Sequence, residues 1–160
     1  MAVETERKFL VDGDGWRDGA AARTIRQGYL CHGDENAASM RVRIFGNDAF
    51  VTIKGGKSGI SRFEYEYPIP PADAEELLAN LCQRPLIEKV RHTLDYGGIE
   101  WVVDVFEGDN AGLVVAEVEL DHADQPFDLP PWAGREVTHD PRYLNVNLAR
   151  HPFRLWHPRG

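Results

Sequence analysis

Apolar and polar residues alternate with period two through eight short segments of this chain, and that period leaves few folds open. The segments are Val3–Val11, Arg23–His32, Ser39–Phe45, Ala49–Lys54, Ser61–Tyr67, Leu86–Asp95, Ile99–Glu107 and Leu113–Leu120. Each is rich in Val, Ile, Tyr, Phe or Thr, as half-buried strands are. Between them, Gly46-Asn47-Asp48 and Tyr96-Gly97-Gly98 have the composition of tight hairpin turns. Strands joined this closely favour an antiparallel barrel or sandwich, because parallel pairing needs long crossovers. Two stretches break the period and predict helices. In Pro71–Leu81, proline opens the first turn, Asp73, Glu75 and Glu76 suit the positive end of a helix dipole, and Ala74, Leu77, Leu78 and Leu81 form an apolar stripe. Asp140 can cap a second helix from Pro141 to about Arg150, stopped by His151-Pro152. The prolines of Pro126–Trp132 require an extended connection.

The chain of 160 residues fits one domain over 1–160, and 42% hydrophobic with 28% charged residues is a globular composition. Cys31 and Cys82 form neither a disulfide framework nor a zinc motif, which suits a reducing compartment. Charge begins at Glu4, with no secretory segment before it, and no apolar run approaches the roughly 20 residues of a membrane helix. The expectation is a cytoplasmic protein without membrane contact. A net charge of −8 argues against a nucleic-acid partner, whose binding rests on a basic surface. A small polyphosphate answers instead to a local cluster of cations.

Such a cluster follows from strand parity, since residues two apart share a face. One face carries the acids Glu4, Glu6, Glu64, Glu66, Asp104, Glu117 and Glu119 and the bases Lys8, Arg41, Arg43, Lys54, Arg62, Lys89 and Arg91. The opposite face is apolar and needs a cover, which the helices and the proline-rich stretch can supply. Taken strand by strand, the charged face reads as the wet side of an antiparallel sheet. The repetition of glutamate pairs and arginine pairs reads otherwise, because like charges so close repel unless something opposite lies between them. Paired carboxylates suit Mg²⁺ or Mn²⁺. Paired guanidinium groups suit phosphate. A metal–polyphosphate complex satisfies both. His139, His151 and His157 show no metal-ligand spacing and read as surface residues, and the four tryptophans read as packing residues. The basic loop Lys54–Gly59 lacks the pattern of a P-loop; it reads as a hairpin loop or as a lid carrying Lys57 toward phosphate.

Val3–Val11, with its Glu4-x-Glu6-x-Lys8 pattern, resembles the N-terminal signature of the CYTH superfamily, the triphosphate tunnel metalloenzymes. Ile25–Leu30, Arg41-Val42-Arg43, Thr52-Ile53-Lys54, Arg62–Glu66, Glu88–Arg91, Val103–Phe106 and Ala116–Glu119 follow in the family's order. The resemblance spans the first strand to the C-terminal helix and is greatest to short bacterial single-domain members. It implies a mainly β fold, an eight-stranded closed antiparallel barrel with peripheral helices and the charged face turned inward. It also implies a triphosphatase, with inorganic tripolyphosphate as the first substrate. Thiamine triphosphatase, class IV adenylate cyclase and a non-catalytic polyphosphate-binding module stay open, as does a homodimer. Ser39 and Met40 offer no aromatic platform for a base or thiazole.

On that reading Arg41, Arg43, Lys54, Lys89 and Arg91 bind phosphate oxygens. Asp104, Glu117 and Glu119 hold one Mg²⁺ or Mn²⁺, with a second near Glu4 and Glu6 to orient water. Lys8 and Tyr29, on neighbouring strands, form by resemblance the dyad that activates water. Glu64 and Glu66 either bind metal or hold Arg62 and the other cations.

Overall fold

The computed structural model describes residues 3–31 and 38–156, and only the backbone at 57–58. His32 and His157 lie outside the described residues, as does the side chain of Lys57. Strands β1 (Val3–Val11), β2 (Ala21–Cys31), β3 (Ser39–Phe45), β4 (Asp48–Ser58), β5 (Ser61–Pro68), β6 (Ile87–Tyr96), β7 (Ile99–Phe106) and β8 (Val114–Glu119) form a ring. Its order is β1-β5-β4-β3-β2-β6-β7-β8, closing again on β1, and every pairing is antiparallel. Closure leaves the eight strands without free edges. A ninth strand, β9 (Ala133–Glu136), runs beside the end of β1. It was not expected, because four residues around Gly134 carry no alternating signal. The Lys54–Gly59 stretch is not a loop: β4 continues through it to Ser58, with a register shift between Gly55 and Ser58.

Strand parity places the charged residues inside, and two apolar patches cover much of the outside. Helix α1 (Pro71–Asn80) lays Ala74 and Leu78 on Val42 and Ala49 of β3 and β4. Both helix residues are wholly buried, and burying a leucine contributes about 1.5–3 kcal/mol. Leu81, expected in this stripe, is exposed because the helix ends one residue earlier. Around the barrel, Phe9, Trp101, Val103, Ala116 and Val118 pack under Trp16, Phe127 and Trp132, the last two from the proline-rich connection. Gly28 on β2 lets the chain before β6 lie close: a Cβ there would meet Leu86 at 2.7 Å and Cys82 at 2.8 Å.

The second helix departs from expectation. Pro141–Tyr143 is a separate 3₁₀ turn, capped by Asp140, whose Oδ1 accepts from the Arg142 amide at 3.1 Å. Leu144 is extended, and α2 covers only Asn145–Arg150. This segment does not lie on the outer face. Tyr143, Leu148 and Ala149 pack against Tyr29, Ile87, Phe106 and Val115, which stand at inner positions near one end of the barrel. The C-terminal segment thus stops that end with an apolar plug. The outer face of β5 stays open, with Phe63, Tyr65 and Tyr67 exposed. Among the described residues no helix is long and apolar enough to cross a membrane.

Candidate active site

The barrel encloses a cavity of about 450 Å³. Every residue nominated above lines it except Asp104, and Tyr29 reaches it from β2. The ring order sorts the charges. β8, β1 and β5 are neighbours and bring Glu117, Glu119, Glu4, Glu6, Glu64 and Glu66 to one side. β4, β3, β2 and β6 are neighbours and bring Lys54, Arg41, Arg43, Lys89 and Arg91 to the other. Lys8 and Arg62 are the cations set into the acidic side, opposite Glu117 and Glu4 in their ladders.

The cationic wall is tied down. Asp104, expected as a metal ligand, is wholly buried behind the cavity surface. Its Oδ2 lies 2.8 Å from Lys89 Nζ and 2.9 Å from Arg91 Nη2, and its Oδ1 accepts from Arg91 Nε at 2.8 Å. With both oxygens engaged, this carboxylate braces two cations and does not face the lumen. Burial opposes its ionisation, but Arg91 and Lys89 overcome that and hold it well below the usual carboxylate range. Burial, set against Asp104 and reinforced by Arg91 and Arg43, brings Lys89 down to about 7. Burial, with Arg41 and Arg91 nearby, brings Arg43 to about 9. Arg41 Nη2 donates to Thr52 Oγ1 at 3.1 Å, while its Nε is buried with no hydrogen-bond partner among the described residues. An anion in the lumen would relieve both the crowding of cations and that unpaired donor.

The acidic wall is crowded. Glu6 stands opposite Glu119 in the ladder. Burial, then Glu117 and Glu4, push its carboxyl up to about 7. Burial, with Glu4 and Glu64, also raises Glu119. Glu117 is held at about 2: burial opposes this, and Lys8 and Arg91 outweigh it. Lys54 Nζ lies 3.1 Å from Glu4 and 3.3 Å from Glu64. Thr52 Oγ1 donates to Glu66 Oε1 at 3.0 Å. Among the described residues no three carboxylates or other ligating groups converge on one point. The donor set still fits Mg²⁺ or Mn²⁺, since Mg²⁺ is usually held by one or two carboxylates, with substrate phosphates and water completing its shell.

The expected placement of Lys8 and Tyr29 on neighbouring strands requires correction. β1 and β2 are not neighbours, because three strands separate them either way round the ring. Lys8 and Tyr29 therefore enter the same lumen from strands that do not pair. Lys8 Nζ lies 3.6 Å from Glu117 and 3.4 Å from the Tyr143 carbonyl. Against the cost of burial, Glu117, Glu6 and Glu4 raise its pKa and keep it protonated. Three polar residues given no role above belong to the site. Thr52 and Gln27 were legible as inward-facing by parity. Asn145 was not, because it enters from a helix. Its Oδ1 accepts from Lys89 Nζ at 2.8 Å and from Gln27 Nε2 at 3.2 Å.

A CYTH domain model matches residues 2–153. An inorganic triphosphatase of Acetivibrio thermocellus is 47% identical over 154 residues, covering 96% of this chain and 97% of that protein. An inorganic triphosphatase of Nitrosomonas europaea is 39% identical over 152 residues, covering 92% of this chain and 97% of that one. A crystal structure described as an inorganic triphosphatase superposes with a TM-score of 0.66 at 36% identity, covering 99% of both chains. By its matching motifs, its closed barrel and these similarities, the chain belongs to the CYTH domain family.

Proposed function

We propose that this protein hydrolyses inorganic tripolyphosphate to pyrophosphate and phosphate in its tunnel, with Mg²⁺ or Mn²⁺ bound. The observation that carries the reading is the division of one lumen into a cationic and an acidic wall. Its relatives named inorganic triphosphatase support the choice of substrate. Arg41, Arg43, Lys89 and Arg91 hold the non-bridging oxygens and align the chain of phosphates. Lys54, shared with Glu4 and Glu64, adds a cation where the two walls meet. Glu4, Glu6, Glu117 and Glu119 supply the oxygens for divalent metal, with Glu64 and Glu66 at the margin. A divalent metal held by these carboxylates would supply Lewis-acid stabilisation of the charge that develops on the phosphates. Asp104 keeps Lys89 and Arg91 in place.

Water attacks a terminal phosphorus, the anhydride P–O bond breaks with pyrophosphate leaving, and the Tyr29 side-chain oxygen takes the water proton. Lys8 stays protonated between Glu117 and the lumen and supplies positive charge toward the substrate. The free cysteines, Cys31 exposed and Cys82 half-buried, suit the cytoplasm. A phosphate-release screen with Mg²⁺ and Mn²⁺ over tripolyphosphate, thiamine triphosphate and ATP tests the reading. Tripolyphosphate is expected to turn over fastest, and excess chelator to abolish turnover until metal is restored. Tight binding of tripolyphosphate with no phosphate release would make the protein a polyphosphate-binding module instead.

A further inference from the structure

Asn145, the first residue of α2, enters the lumen beside the plugged end. Its side-chain oxygen is the meeting point of a short chain of hydrogen bonds. Lys89 Nζ and Gln27 Nε2 donate to it at 2.8 Å and 3.2 Å, and Gln27 Oε1 accepts from Arg43 Nε at 2.7 Å. Arg43 on β3 and Lys89 on β6, with β2 between them, are therefore joined through two neutral amides. Gln27 is wholly buried and Lys89 nearly so. Among the described residues Arg43 has no carboxylate within 4 Å, and Lys89 has only Asp104, which it shares with Arg91. Lys8 and Lys54 are instead braced by glutamates.

The chemical difference lies in charge. An amide oxygen accepts a hydrogen bond and fixes the direction of an ammonium or guanidinium group, but it carries no negative charge to neutralise it. A carboxylate in the same place would neutralise the cation and repel a phosphate brought to it. We propose that Gln27 and Asn145 form a neutral bridge that positions Arg43 and Lys89 without adding negative charge beside them, so that they anchor a terminal phosphoryl group beside the plug. The bridge makes the C-terminal segment part of the substrate site. Both amides are positioning residues that act through the cations. The inference rests on the triphosphate reading above and names the end of the tunnel where the anion is held.

Near-isosteric substitutions separate this role from a structural one. Asn145→Asp keeps the shape and the acceptor oxygen but adds charge, whereas Asn145→Ala removes the acceptor and adds none. Binding of tripolyphosphate is measured by calorimetric titration with no divalent metal present, alongside KM and kcat with Mg²⁺ and the melting temperature. Asn145→Asp is expected to weaken binding by about tenfold or more, since like charges are being brought together, with the loss appearing in KM. It should melt no lower than wild type, because Lys89 gains an ion pair. Asn145→Ala is expected to bind more tightly than Asn145→Asp. A residue needed only for packing or hydrogen bonding gives the reverse order, with Asp tolerated and Ala damaging, and that order overturns the proposal. If Asn145→Asp does not fold, Gln27→Glu against Gln27→Ala decides by the same ranking. Wild-type protein that binds tripolyphosphate without releasing phosphate fails the hydrolase reading and leaves the ranking decisive for the bridge. Wild-type protein that does not bind it at all overturns both.

Discussion

The two walls of the lumen answer the same problem, buried like charges, in opposite ways. On the cationic wall nearly every charge has a fixed partner: Asp104 under Lys89 and Arg91, Gln27 beside Arg43, Thr52 beside Arg41. On the acidic wall Glu6 faces Glu119 across the ladder, and crowding pushes the pKa of both upward. The difference teaches which half is built before a ligand arrives. The cationic wall is preorganised and pays its desolvation cost within the fold. The acidic wall is left to be completed by something positive from solution. On the proposed function, substrate arriving with a divalent cation would meet a preorganised half suited to phosphate and a crowded half that would gain stability from the metal.

Removing the brace under the cationic wall is the harshest way to break this contrast. Asp104→Ala leaves buried Lys89 without its carboxylate and Arg91 with only the longer contact to Glu117 at 3.7 Å among the described residues, and is expected to cost about 3–5 kcal/mol of folding stability in denaturant titrations. A loss below about 1 kcal/mol, the scale of exposed pairs, would mean that the wall is not preorganised by Asp104. Next comes chemistry in the lumen. Tyr29→Phe keeps the ring in its apolar setting and removes the proton acceptor. Turnover should fall by roughly 10²–10⁴, the usual worth of a positioned base, while tripolyphosphate still binds. Near-normal turnover with an unchanged pH profile would take Tyr29 out of the reaction.

Arg41→Ala probes a buried donor on the cationic wall that has no partner among the described residues. Triphosphate binding should weaken by about 1.5–3 kcal/mol, the scale of a charged hydrogen bond, with little loss of stability because Arg43 is relieved of a like neighbour. Stability lost with affinity intact would make Arg41 a structural residue. The smallest effect sharpens the acidic side. Glu6 binds its proton more tightly in the fold, near 7, than at the ordinary 4.5. The metal-free protein should therefore be stabilised at acid pH, and lose that contribution as pH rises from the unfolded value through the folded one. Glu6→Gln should flatten this slope and raise stability at pH 8 by about 1 kcal/mol. Melting curves from pH 4.5 to 8 measure both, and a wild-type stability that instead rises through this range would remove the strain assigned to Glu6.

Parity explains what the sequence disclosed and where it stopped. A period of two fixes which face a residue joins, and so the lining of the lumen could be read from β1, β3, β4, β5, β6 and β8 alone. It does not fix which strands meet. Whether β2 lies beside β1 or three strands removed from it depends on how the ring closes, so Lys8 and Tyr29 were placed on neighbouring strands, which they do not occupy. Nor does parity fix depth. Asp104 shares a face with Glu117, yet sits behind two cations that take both its oxygens. Asn145 and β9 escaped because neither belongs to an alternating strand. The mixed cover of the outer face, with Tyr65 and Tyr67 bare, depends on where one ten-residue helix comes to rest.

β1 has to satisfy three partners along its length. Val3–Thr5 pair with β5, Glu6–Leu10 with β8, and Phe9 and Val11 with β9. The first of these contacts closes the ring, and it is a short one held by the earliest residues of the domain. During synthesis this strand emerges before every partner it needs, and must wait for β5 and then for β8, more than a hundred residues later in sequence. Folding that ends on so non-local a pairing is slow for its size. In the finished molecule Glu4, at the centre of the same seam, is both a closing residue and a wall of the site.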